Sequence, residues 1–150
     1  MPALATLALL TAFSTRSGDY VPSEPIPPDV QLAAFRELLT DTSEFVQCLQ
    51  ANDGDPPPEV MARLQRTDNV VVRASQCAAP SNGAYRRSDH RAAEFLRLRN
   101  VHVFADESTT LDCERYHGQM QSSSVQLSLR RRGPVWIVHA RTPAPISAIP

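Results

Sequence analysis

Four histidines are the side chains best suited to acid–base or metal chemistry in this chain: His90, His102, His117 and His139. They are far apart in sequence, and none belongs to the H-x-x-x-H or H-E-x-x-H arrangements that bind zinc. A site would require the fold to bring His117 and His139 together with Asp112 or Glu114. Strand alternation, however, places these two carboxylates on the face opposite His117. We therefore predict no catalytic set of residues, no metal site and no cofactor.

Ser88, Asp89 and His90 supply the residue types of a hydrolase triad. Three adjacent residues cannot form one, because the side chains of a triad converge from separate segments. The chain also lacks the G-x-S-x-G turn that presents a nucleophilic serine in many hydrolases. The sequence therefore argues against serine hydrolysis.

Arginine is the second informative residue type, because the chain contains no lysine and all 15 of its basic residues are Arg. Arginines gathered on one side of the sheet could bind an anionic ligand through bidentate hydrogen bonds, and Tyr85 and Tyr116 could add stacking. The candidates are Arg86, Arg87, Arg91, Arg97, Arg99 and the run Arg130 to Arg132. Alternatively, the strand arginines cover a solvent-facing sheet and pair with glutamates such as Glu94 and Glu114 across strands. We favour the second interpretation.

The three cysteines, Cys48, Cys77 and Cys113, allow at most one internal disulfide, and three pairings are open. We predict Cys48–Cys77, because Cys48 lies near the end of a predicted helix and Cys77 just after a predicted strand. A disulfide at such edges ties separate elements together. Cys113 lies inside an alternating strand pattern and is predicted to be a buried thiol. No two cysteines have the C-x-x-C spacing of a redox or zinc site.

The first residues indicate the compartment. Residues 3–13 form an uncharged apolar run that is too short to span a bilayer and has the length of a signal-peptide core. Ala12 and Ser14 are small residues at the positions that signal peptidase reads. No basic residue precedes the run, so an N-terminal helix of a cytoplasmic protein is the alternative. We predict a signal peptide at 1–14, export to the periplasm or the medium, and no membrane span elsewhere.

The segment that follows is polar and then helical in pattern. Residues 15–28 are rich in proline, which predicts a linker. A long helix is predicted from Asp29 to about Asn52, because apolar residues recur at helical spacing. These residues are Val30, Ala34, Leu38, Phe45 and Leu49. Pro56 to Pro58 then begin a short second helix, whose inward-facing residues are Val60, Met61 and Leu64.

The second half of the chain changes to the pattern of strands. A first strand is predicted at 69–74 because it is rich in β-branched residues. A long strand follows at 92–104, and its apolar positions change face near Arg99-Asn100, which indicates a bulge. A tight turn at Arg132-Gly133-Pro134 joins the last two strands. Three strands complete the pattern, at 109–118, 123–131 and 135–142.

These elements predict a single α+β domain over residues 29–143, followed by a disordered tail at 144–150. The expected architecture has one long and one short N-terminal helix packed on a curved antiparallel sheet of about four to five strands.

The closing stretch, 125–143, resembles the final hairpin of the NTF2-like and SnoaL-like families. In those families a strand rich in Leu and Val turns at a glycine and returns as Trp-x-Val/Ile, followed by His and Ser/Thr-Pro. The residues in comparable places are Trp136, Val138, His139, Thr142 and Pro143. The helical half of this chain is short for an NTF2-like cone. The resemblance implies a cystatin-like fold but no particular reaction, because such folds host enzymes and binding proteins alike.

Two functions fit these observations. The first is an exported, non-catalytic module whose open sheet face binds an unknown protein or small molecule, with a homodimer through that face as one form. The second is a SnoaL-like enzyme using acid–base chemistry in a pocket between helix and sheet that holds His139 or Asp112. The net charge of −1 argues against a nucleic-acid partner. The candidate ligand-binding residues are Trp136, His139, Tyr116, Arg97 and Arg99.

Overall fold

A computed structural model describes residues 24–118 and 121–144 of the chain. Within these residues the helices are α1 (Pro28–Leu38) and α2 (Pro58–Leu64). The strands are β1 (Val46–Ala51), β2 (Val71–Arg73), β3 (Cys77–Ala78), β4 (Tyr85–Arg86), β5 (Ala93–Val103), β6 (Thr109–Gly118), β7 (Gln121–Arg132) and β8 (Val135–Pro143). A short 3₁₀ turn, Ala74–Gln76, separates β2 from β3.

Six of the strands form one mixed sheet in the order β2-β1-β5-β6-β7-β8. β1 is parallel to both of its neighbours, β2 and β5, whereas the pairs from β5 to β8 are antiparallel. Parallel neighbours need a crossover, and α2 supplies the one between β1 and β2. β3 and β4 form a separate antiparallel pair.

The main core lies between the two helices and one face of the six-stranded sheet, which we call the helix side. Val30, Phe35 and Leu38 are buried on the inner face of α1. The sheet contributes a layer of buried leucines from adjacent strands: Leu49, Leu96, Leu98, Leu111, Leu127 and Leu129. The core is therefore continuous from β1 to β7.

A smaller apolar cluster lies on the other face of the sheet, which we call the open side. There Val46 and Cys48 of β1 pack with Cys77 and Ala84 of the segment 77–92, which we call the flap. The predicted disulfide Cys48–Cys77 is confirmed, and it ties the flap to β1. Cys113 is a free, buried cysteine, also as predicted.

The predicted fold class is wrong in its helical half. In place of one long helix on four to five antiparallel strands, the described residues form two short helices, a six-stranded mixed sheet and a two-stranded sheet. α1 ends at Leu38. Phe45 and Leu49, which were expected to continue its apolar stripe, lie in the following connection and in β1.

The helix ends where side chains from distant segments bind its last carbonyl groups. Arg115 Nη2 donates to Leu38 O at 2.9 Å, and Asn69 Nδ2 donates to Leu39 O at 2.9 Å. β1 is then buried on both faces, so its apolar residues do not alternate. A short apolar run of this kind is compatible with a helix or a strand, and tertiary packing decides between them here.

The positions predicted for α2, the four long strands and the last turn agree with the structure. α2 begins at Pro58 and buries its three predicted residues, Val60, Met61 and Leu64. The four long strands lie within a few residues of their predicted bounds. The bulge is confirmed, because the register of β5 against β6 shifts between Arg99 and His102. Gly133 has a φ of 58°, which a type II′ hairpin turn requires of its first central residue.

Several predictions concern residues outside the described part of the chain. These are the signal peptide at 1–14, the linker up to residue 23 and the tail from residue 145. Ile26, from the segment predicted as a linker, is buried, and its carbonyl accepts a hydrogen bond from Gln31 Nε2 at 2.8 Å. Among the residues that the structure describes, no helix is long and apolar enough to cross a membrane.

Cys48→Ser is expected to lower the free energy of unfolding of the oxidised protein by about 3–4 kcal/mol, because the disulfide closes a loop between residues 29 positions apart. Urea unfolding with and without reductant measures this difference. Cys113→Ser is the control, since it alters a buried thiol outside the disulfide and should cost the same in both conditions. A Cys48→Ser effect of equal size with and without reductant would contradict the stabilising role of the disulfide.

Cys113 should resist alkylation in the folded protein. Its side chain is buried, and burial raises the pKa of its thiol to about 12, so hardly any reactive thiolate exists at pH 8. We expect no iodoacetamide adduct under native conditions and one adduct in urea with the disulfide intact, as measured by intact mass. Rapid alkylation of the native protein would show that the site opens readily.

Candidate functional site

Three of the five predicted ligand-binding residues lie together on the open side of the sheet. The Arg97 guanidinium carbon lies 5.0 Å from the centroid of the Tyr116 ring and 5.0 Å from that of Phe95. Arg97 is therefore held between two aromatic rings, in a position suited to cation–π attraction. Arg99 follows on the same strand and is more exposed.

The charges of this cluster are already paired. Arg97 Nη1 lies 3.4 Å from Glu114 Oε2, and Arg99 Nη2 lies 3.2 Å from Asp53 Oδ1. The second predicted partner, Glu94, pairs with Arg115 on the helix side. These contacts fit the interpretation that strand arginines pair with carboxylates across the sheet, and they leave little free positive charge for an anionic ligand.

Trp136 lies on the helix side, beside α1. Its indole Nε1 donates to Asp29 Oδ2 at 2.9 Å, and its half-buried ring packs against the main core. A groove of about 410 Å³ separates α1 from the first half of β8, and Trp136 forms part of its wall. Ala33, Arg36 and Glu37 of α1 line the opposite wall.

His139 is exposed on β8, apart from the other predicted residues. The register of β8 against β7 shifts at this point, because Leu129 pairs with Val138 and Ser128 with Ala140. His139 is thus the extra residue of a bulge, and bulges turn side chains away from the regular alternation. The five predicted residues therefore lie in three places and do not form one site.

β8 itself is the outermost strand of the sheet, and among the described residues no strand pairs with its outer edge. Val135 is 56% exposed and Ile137 is 40% exposed. A long edge strand with apolar side chains is a template for pairing with another polypeptide. This edge and the groove beside it form one continuous surface.

A polar site that was not predicted lies on the helix side, at the end of α1. Glu94 is 8% exposed, and its Oε2 lies 2.8 Å from Arg115 Nη1 and 3.2 Å from Gln47 Nε2. His117 Nδ1 lies 2.7 Å from Ala93 O. We call this site the polar cleft. It measures about 280 Å³ and is lined by Phe45, Glu94, Arg115, His117, Ser122 and Ser123.

The alternation of the strands contains a signal for this cleft. Glu94 shares one face of β5 with the buried Leu96 and Leu98, and Arg115 shares one face of β6 with the buried Cys113. Charged residues in register with a buried apolar row must find partners, because burying an unpaired charge is costly. In the sequence, the candidate partners of His117 were Asp112 and Glu114, whereas the structure places Glu94 and Arg115 beside it in the cleft.

The segment Ser88-Asp89-His90 lies in the flap and forms no triad. Arg86 Nε donates to Asp89 Oδ1 at 2.9 Å, and hydrogen bonding to Arg86 lowers the pKa of Asp89 to about 2. The His90 ring stacks on Tyr85 with centroids 5.0 Å apart. Across the described ranges, no three His, Cys, Asp or Glu side chains converge as metal ligands would.

No family model, curated protein or solved structure matches this chain. The resemblance of the closing hairpin to NTF2-like and SnoaL-like proteins therefore stays a prediction. The function has to be argued from the surfaces described above.

Trp136→Ala is expected to lower the free energy of unfolding by about 2–3 kcal/mol, less than a fully buried tryptophan would, because the ring is half-buried. Trp136→Phe, which keeps the packing and loses the hydrogen bond to Asp29, should cost about 1 kcal/mol. Urea unfolding followed by circular dichroism measures both. A near-neutral Trp136→Ala would contradict the packing role and leave the ring as a surface group.

Proposed function

We propose that this chain is an exported interaction module that binds an extended segment of a partner protein by adding it as a strand to β8. The observation that carries the proposal is the outer edge of β8, which no other strand of the described residues covers and which runs beside the groove lined by Trp136. The backbone N–H and C=O groups along a sheet edge form hydrogen bonds best with another extended polypeptide.

The hydrogen-bonding pattern of the last hairpin supports this reading of the edge. Arg132 and Val135 flank the two-residue turn and form a hydrogen-bonded pair, so the next pair, Arg131 and Trp136, is non-bonded. The backbone N–H and C=O of Trp136 then point away from β7, towards the outer edge of β8. Strand addition would use these groups first.

Side chains on both faces of β8 would add to the backbone contacts. Trp136 and Val138 are half-buried and line the groove on the helix side, whereas the alternate residues Val135 and Ile137, which also border the groove, are exposed. Successive residues of an added strand point to opposite faces of the sheet. An incoming segment with apolar residues at alternate positions would therefore bury side chains in the groove as well as beside Ile137.

The opposite edge of the sheet is unsuited to such pairing. β2 has only three residues and continues directly into the turn Ala74–Gln76. Short edge strands are one way in which proteins avoid unwanted pairing. β8, with nine residues, lacks this protection, although Pro134 and Pro143 bracket the accessible stretch.

The alternative of a SnoaL-like enzyme has less support. That hypothesis required a pocket between helix and sheet that holds His139 or Asp112. The groove between α1 and β8 contains neither of them. Asp112 lies on the open side, where Asn100 Nδ2 donates to its Oδ2 at 3.0 Å. The core under the helices is filled by buried leucines, as expected for a binding module.

The disulfide Cys48–Cys77 supports the export part of the proposal. Disulfides persist in the periplasm and in secreted proteins, and the cytosol keeps most thiols reduced. An intact mass of the protein recovered from its own host tests this part. Loss of residues 1–14 with the disulfide formed would support export, and a full-length reduced species would refute it.

Strand addition can be tested with a library of linear peptides selected on the full-length oxidised protein. Trp136 is the only tryptophan, so its fluorescence reports binding in the groove. Ile137→Lys should weaken binding of a selected peptide at least about tenfold, because charge on an edge opposes pairing. Val103→Lys is the matched control, since Val103 is also an exposed β-branched residue, on β5, and is 56% exposed against 40% for Ile137. Equal effects of the two variants would contradict the assignment of the edge.

Backbone methylation of the selected peptide gives the sharper test. Methyl groups on one alternate set of peptide nitrogens should abolish binding, and those on the other set should be tolerated, because only one set faces β8. Tolerance of both sets would mean that side chains alone dock in the groove. Self-association of the free protein that Ile137→Lys abolishes would identify a second copy as the occupant instead.

A further inference from the structure

The polar cleft is a second candidate site, at the other end of α1 from Trp136. Gln47, Glu94 and Arg115 occupy positions on the helix side that belong to the apolar core elsewhere along the same strands. Departures from apolar patterning in a core are expected where a site is built. A function of the cleft therefore does not depend on strand addition to β8.

The charges in and around the cleft balance one another. Arg115 Nη1 pairs with Glu94 at 2.8 Å, and its Nη2 lies 3.8 Å from Asp41 Oδ2. Arg141 Nη1 lies 3.7 Å from the same Asp41 oxygen. Two arginines thus face two carboxylates, and the cleft offers no excess of either charge to a ligand. A neutral ligand suits it better than an anion or a cation.

His117 adds a hydrogen-bond acceptor of fixed position. A carbonyl oxygen only accepts, so the 2.7 Å contact with Ala93 O places the proton of the neutral imidazole on Nδ1. Its Nε2 is then an acceptor. The imidazole also packs against Phe45, with ring centroids 4.1 Å apart, and the two rings give the cleft an aromatic wall.

Ser123 supplies a hydroxyl on the same side. It pairs with Arg115 in the register of β6 and β7, is exposed, and lines the cleft. The cleft therefore combines donors from Arg115 and serine with acceptors from Glu94 and His117, beside an aromatic wall. Its volume of about 280 Å³ is just below the range typical of ligand pockets, roughly 300–1,000 Å³, and suits a ligand of one ring.

From this geometry we infer that the polar cleft binds a neutral ring-shaped ligand with several hydroxyl groups, a monosaccharide unit. Each hydroxyl both donates and accepts hydrogen bonds, which matches the mixed donors and acceptors of the cleft. The apolar face of a sugar ring can lie against Phe45 and His117. Glu94 and Arg115, which hold each other in place, present fixed hydrogen-bonding groups to it.

The test is titration of the full-length oxidised protein with glucose, galactose, mannose and N-acetylglucosamine. Binding is followed by NMR through the His117 imidazole signals. At least one sugar should saturate these signals with a Kd on the order of 1 mM, as expected for so small a ligand. His117→Phe, which keeps the aromatic wall and removes the acceptor, should weaken binding about tenfold.

A matched pair of serine variants locates the binding. Ser123→Leu should fill the cleft and abolish binding, whereas Ser124→Leu, at the next position on the opposite face of β7, should leave it unchanged. Both serines are exposed, so neither change disturbs the core. Absence of saturation by all four sugars, an equal effect of the two leucine variants, or tighter binding of benzoate than of any sugar would overturn the inference.

Discussion

The burial of β1 is the constraint on which the rest of this domain depends. Its edges are occupied by β2 and β5, and both of its faces are covered. Leu49 packs under the helices, while Val46 and Cys48 pack under the flap. The disulfide fastens the flap from that side. A strand with neighbours on both edges and both faces fixes the register of β5 beside it. The antiparallel meander from β5 to β8 continues from there to an outer edge that no other described strand covers.

The parts of the fold that could be predicted are those whose pattern is local. Burial alternates between the two faces along the first half of β6 and in the second half of β7, and β8 begins with alternating exposed and half-buried residues. Alternation therefore predicts these strands, and Gly133 marks their last turn. β1 could not be predicted in the same way, because a strand buried on both faces shows no alternation. The end of α1 depends on Arg115 and Asn69, which are distant in sequence. The hydrophobic pattern of residues near the end of α1 does not indicate such long-range contacts.

The same distinction governs the candidate sites. The cluster of Arg97, Arg99 and Tyr116 could be predicted, because all three lie on regular stretches of β5 and β6. Trp136 and His139 are close in sequence to each other, but a bulge and the position of α1 separate their surroundings. The sequence indicated part of the polar cleft, because Glu94 and Arg115 lie in register with buried apolar residues on their strands. Its partners come from β1, β5, β6 and the end of α1, so it required the register of the whole sheet.

α1 touches both proposed sites, and its packing determines whether they act together. Asp29, in its first turn, binds Trp136, and the carbonyl of Leu38, in its last, binds Arg115. Asp29 and Leu38 are nine residues apart in the helix, which places these contacts about 14 Å apart along its axis. Between them, Ala34 and Phe35 are completely buried against the sheet. Close-packed interiors resist small displacements, so α1 behaves as a fixed wall shared by the two sites. Occupation of one should therefore leave the affinity of the other unchanged, because a ligand shifts an equilibrium only where a second arrangement of the shared element exists.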